Sequence, residues 1–170
     1  MADPVLLTVL AYAHILSAIG WLGASLLTTF VIGPGLEAVS APSRLEFIAK
    51  VIPKILRYIM MMIASTLVFG LLFLYFFIGG DFSRLAPSTP FGIAISAGMV
   101  VAVITALLGV GMVIPSFRKV IAIADQMLKS GQTPPPPELV KYSKRARLGS
   151  IAATSLLLLV LVMMVTAAFY

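Results

Sequence analysis

The chain has no cysteine, one histidine (His14) and only six acidic residues in 170. Without cysteine there can be no disulfide, thiolate zinc site, iron–sulfur cluster or covalently attached c-type haem, in any compartment. With one histidine, a bis-histidine centre within a single chain is impossible and would need two protomers. No acidic residue falls inside a long apolar run, so a carboxylate proton relay or cation-coupling site within the membrane has no support. Phosphate loops, nucleophile elbows and zinc-protease motifs are also missing. Charged residues make up 11% of the chain, against about 25% in a soluble domain.

What the chain has in abundance is apolar sequence, 61% of it. Four runs, at about 5–32, 55–78, 91–114 and 148–169, reach the roughly 20 apolar residues that cross a bilayer as a helix. A helix closes its own backbone hydrogen bonds, which lipid cannot do for it. The expected fold is therefore all-α: one four-span transmembrane domain over residues 1–170, an integral membrane four-helix bundle. The first run is too long for a cleaved signal and has no basic residue before it.

The net charge of +6 is unevenly placed. Arg44, Lys50, Lys54 and Arg57 lie in or beside the first connection. Arg118, Lys119, Lys129, Lys141, Lys144, Arg145 and Arg147 lie in or beside the third. Only Arg84 falls in the short second connection. The positive-inside rule makes the basic face cytoplasmic and both termini extracytoplasmic in a multi-pass cell-membrane protein. Anionic lipid headgroups then account for the charge, with no need for nucleic acid.

Gly33-Pro34-Gly35 is expected to stop the first span, and Pro115 the third. Two short cytoplasmic surface helices should follow these stops. One is capped by Ser43 with Leu45, Ile48 and Ile52 on a face; the other covers Phe117–Leu128, with Val120, Ile121, Ala124, Met127 and Leu128 on a side. Pro53 suits the first turn of the second span. Gly79-Gly80-Asp81 and two prolines should close the second and third spans into a tight hairpin. Ser130-Gly131-Gln132-Thr133 and the proline run 134–137 read as a stiff spacer. An internal echo, Val31-Ile32-Gly33-Pro34 against Val113-Ile114-Pro115, suggests two parallel helical hairpins; convergent use of proline at interfaces explains it equally well.

On a helix, His14, Ser17, Ala18, Trp21, Ser25 and Thr28 form one polar stripe, flanked by Gly20 and Gly23. It should face the bundle interior. An imidazole at such depth has two readings: an interhelical hydrogen bond, or ligation of haem or copper. Counted from the span ends, Met99 and Met164 fall within about 5 Å of the level of His14, which makes them candidate second ligands as well as ordinary core filler. Gly98, Ala102, Thr105 and Gly109 form a small-residue stripe that lets helices approach. Arg57 and Arg147 open the two returning spans, where snorkelling to headgroups explains them.

The segment His14…Trp21-Leu22-Gly23 resembles the opening of the copper-resistance D-type membrane domain and of the related HemJ-type protoporphyrinogen oxidases. The resemblance covers the first span and, loosely, the four-span layout. It implies a small membrane protein holding haem b or copper through His14, with Ser17 and Trp21 shaping the cofactor site, and a role in electron transfer or metal handling. No lysine stands inside a later span, as one does in HemJ-type enzymes, so oxidase activity is not implied. Two other readings stay open: a non-catalytic accessory or scaffold subunit of a membrane complex (or a homo-oligomer), and a channel or transporter for a small solute.

Overall fold

The computed structural model describes residues 3–86, 88–131, 134–167 and 169; Gln132 and Thr133 of the expected spacer lie outside these. Among the described residues the chain is all helix apart from turns, with no strand. The helices are α1 (Pro4–Gly35), α2 (Ala41–Lys50), α3 (Ile52–Phe77), α4 (Pro90–Ser130) and α5 (Pro137–Ala167). A 3₁₀ turn at Phe82–Leu85 interrupts the short connection. Helix α1, the run Ala41–Phe77, α4 and α5 are each long and apolar enough to cross a membrane. This is the framework of a multi-pass membrane protein.

Local chemistry sets the helix ends. Asp3 accepts a hydrogen bond from the Val5 N–H at 2.9 Å, and Pro4 occupies the first position of α1. Thr89 does the same for Gly92 at 3.0 Å, again with proline first in the helix. Both are N-caps that satisfy an orphan donor, and both place proline where its missing N–H costs nothing. Gly79 and Gly80 take left-handed φ of 65° and 76°, which ends α3 sharply. Pro53 falls in the first turn of α3, as expected.

Several sequence expectations are corrected. Pro115 does not stop the third long helix: α4 runs on to Ser130. Immediately before the proline the helix widens into a π segment, Gly109–Val113, in which the Ile114 N–H reaches back five residues to Gly109. The wider turn absorbs the clash that a proline ring makes with the preceding turn. The same device precedes Pro34, where Leu27–Ile32 is π-helical and the Gly33 N–H bonds the Thr28 carbonyl. The second surface helix is thus the continuation of α4. Its Val120, Ala124 and Met127 are buried, packed against α2 and α5. Helix α2 begins at Ala41, so Ser40 takes the capping position and Ser43 sits inside, accepting from the Ser40 hydroxyl at 2.9 Å.

The tight hairpin also lies elsewhere. Despite their short connection, α3 and α4 share little packing; Phe77 and Phe91 meet at 6.1 Å between ring centroids near the loop. The extensive contacts are α1 with α3 and α4 with α5. Glycines explain this pairing, because only a residue without Cβ lets two helix backbones approach so closely. A Cβ on Gly20 would lie 2.7 Å from Met62 Sδ and from the Tyr58 hydroxyl, and one on Gly98 would lie 2.9 Å from Met164 Cε. Gly149 fits against Val113 in the same way. The two hairpins join through a buried cluster of Trp21, Ile63, Ala106 and Leu157.

Candidate functional site

His14 is half-buried on α1, facing α3. Its Nδ1 lies 2.9 Å from the Thr66 backbone oxygen. A carbonyl oxygen can only accept, so Nδ1 carries the proton and donates it, leaving the Nε2 lone pair of the neutral ring free. Gly70, one turn beyond Thr66, makes the geometry possible: a Cβ there would sit 2.7 Å from both Nδ1 and Cε1. The imidazole is therefore seated in a notch cut by glycine and oriented by a backbone oxygen. Thr66 itself is buried, and its hydroxyl has no partner among the described residues.

The other candidates are distributed differently. Ser17 is buried one turn along the stripe, and its hydroxyl donates back to the Ala13 carbonyl at 2.7 Å. Trp21 is 4% exposed and belongs to the cluster joining the hairpins. Met164 packs its methyl against Gly98, within the α4–α5 hairpin, and Met99 is half-buried on α4. The described contacts of His14 are with α3, whereas Met99 and Met164 belong to α4 and α5. Among the described residues no three His, Asp or Glu side chains cluster to hold a metal.

A second feature lies toward the basic end. A partly open cavity of about 50 Å³ lies between all four spans, with Trp21, Ser25, Thr28 and Thr29 of α1 facing Ile59 and Ile63 of α3, Thr105 and Gly109 of α4, and Ser150 and Thr154 of α5. It has room for one or a few water molecules and none for a porphyrin. Its lining carries six hydroxyls and no ionisable group. Both π segments contribute to it, Thr28 and Thr29 from the first and Gly109 and Val113 from the second. Ser25 and Thr28 were legible from the polar stripe. Thr29, Ser150 and Thr154 were not, because they come from a neighbouring helical position and from a span whose few hydroxyls are scattered in an apolar run.

At the basic end Arg147 pairs with Glu37 at 3.3 Å, tying α5 to the turn after α1, with both side chains about two-thirds exposed. Arg147 therefore does more than snorkel, although an exposed pair of this kind contributes little stability. Arg44 donates to the carbonyls of Glu37 and Val39, which closes the same turn. Comparison of the chain with protein-family models, with curated proteins and with solved structures gave no match.

Proposed function

We propose that this is a small membrane protein that binds haem b through His14 and serves in electron transfer, with the basic end cytoplasmic and both termini outside. One observation carries the reading: the hydrogen bond from His14 Nδ1 to the Thr66 carbonyl. Histidines that ligate metals characteristically donate their second ring N–H to such an acceptor, which fixes the tautomer and makes the remaining nitrogen a better donor. The Gly70 notch holds the ring in that orientation.

Donor count favours haem over copper. A single imidazole can be enough to hold a haem. Copper(I) needs at least one further soft ligand. The nearest candidates by sequence, Met99 and Met164, sit on the other hairpin, and Met164 is occupied in packing. The porphyrin would lie against α1 and α3 at the half-buried His14, since the central cavity is too small for it. When bound, the haem would supply a one-electron couple; the chain would supply the His14 imidazole nitrogen, its orientation and an apolar surround. Ser17, turned back to its own helix, would contribute packing only.

The test is the absorption spectrum of the purified protein expressed with haem and copper supplied. A Soret band that shifts on reduction supports haem b. Colourless protein with stoichiometric copper moves the reading to copper(I), with a second copy completing the site. Neither cofactor would leave the scaffold-subunit reading in its place.

A further inference from the structure

The hydroxyl-lined cavity is separate from His14, and its side chains behave unlike the other hydroxyls of the spans. In an apolar helix a serine or threonine ordinarily satisfies its O–H on the carbonyl four residues back. Thr8, Ser17, Ser116 and Thr166 all do so, at 2.6–2.8 Å. Of the cavity hydroxyls only Thr105 does, bonding the Val101 carbonyl at 2.7 Å. Thr29 and Thr154 face each other at 3.3 Å. Ser25, Thr28 and Ser150 have no hydrogen-bond partner among the described residues. Three donors, each on a half-buried residue, thus stand free around one small space between the helices.

We propose that this cavity binds a small monovalent anion of the halide class, held by the O–H groups of Ser25, Thr28 and Ser150. Three observations select an anion over a cation. The lining offers several O–H donors and no carboxylate. The cavity's lining residues Leu56 and Phe117 are followed directly by Arg57 and Arg118, both exposed and without an acidic partner among the described residues. Finally, the whole basic end raises the local concentration of anions and lowers that of cations. The volume accommodates a single small ion. The paired π segments widen α1 and α4 where the lining needs room.

Trp21 lines the cavity and is the only tryptophan, so it reports on occupancy directly. The full chain in lipid nanodiscs is titrated with sodium iodide at constant ionic strength, maintained with sodium sulfate, while Trp21 fluorescence is followed. Saturable quenching by iodide, competed by chloride and not produced by caesium, is the expected result. Thr28→Val keeps the side-chain shape and should raise the half-saturating iodide concentration about 10-fold, while Thr28→Ser keeps the hydroxyl and should leave it within about 3-fold. Thr8→Val, outside the cavity, should change nothing. Quenching that rises linearly with iodide, that caesium reproduces, or that both Thr28 variants lose alike would overturn the proposal and leave water as the cavity's occupant.

Discussion

His14 Nδ1 lies 2.9 Å from the backbone oxygen of Thr66, across the α1–α3 interface and over the bare Cα of Gly70. The bond cannot be deleted by changing Thr66, because its acceptor belongs to the main chain. The notch can be filled instead. Gly70→Ala places a methyl where the imidazole now sits, so the ring must rotate or the helices must part. The expected result is a loss of about 1–3 kcal/mol in stability, typical of overpacking, together with loss of cofactor. Unfolding in mixed micelles and the Soret-to-protein ratio measure the two effects; wild-type values for both would mean that the notch does not hold the ring.

The glycines should divide sharply on substitution. A Cβ on Gly92 would run into the carbonyl oxygen of Ala86, a backbone atom with no freedom to yield. Gly23 has nothing within 4 Å of its Cβ position. Gly92→Ala should therefore disrupt the Phe82–Leu85 turn and the Ser96 hydrogen bond to the Leu85 carbonyl, whereas Gly23→Ala should be neutral or stabilise by up to about 1 kcal/mol. Amide hydrogen exchange across residues 82–96 separates these outcomes.

Thr29 and Thr154 join the two hairpins through their hydroxyls. A double-mutant cycle of Thr29→Val and Thr154→Val should give a coupling of about 0.6 kcal/mol, the usual size for an interhelical hydrogen bond in a membrane. Zero coupling, with each single variant destabilising by itself, would show that the pair does not bond in the membrane.

The connection after α3 should respond to acid. Hydrogen bonds from the Ser83 hydroxyl and N–H hold the Asp81 carboxylate below its ordinary range. A depressed carboxylate contributes stability that is present above its unfolded pKa, about 3.9, and lost as pH falls through the lower folded value. Exchange of the Ser83 amide should accelerate relative to its neighbours below about pH 4 in the wild type, and that acid-linked change should vanish in Asp81→Asn. An unchanged Ser83 profile in the variant would locate the titration elsewhere.

The four spans could be read from hydropathy alone, and so could the polar face carrying His14, Ser17, Trp21, Ser25 and Thr28. Hydropathy could not show which spans pair. That depends on where single glycines meet a neighbour, and Gly70 opposite His14 belongs to no sequence pattern. Pro115 reads as a stop because proline breaks an α-helix; the π segment that lets α4 continue is a backbone adjustment without its own composition. The apolar face of Phe117–Leu128 is real, but a periodicity does not say whether lipid or protein covers it. The acceptor for His14 is likewise a main-chain oxygen, which every residue has and no sequence marks. Counting from span ends also cannot say which helix stands beside His14; its described contacts are with Thr66 and Gly70 of α3.

The most direct measurement compares haem content and reduced-minus-oxidised spectra of the wild-type protein and His14→Ala, purified from cells supplied with haem. Wild-type protein should carry haem b, seen as a Soret band that shifts on reduction. The variant should remain folded and emerge without the Soret band, since neither Ser17 nor Trp21 offers a nitrogen donor that can replace Nε2. A variant that keeps wild-type haem, or a pair of proteins that both lack it while the variant loses only about 1 kcal/mol of stability, would show that His14 is an interhelical hydrogen-bonding residue and not a ligand.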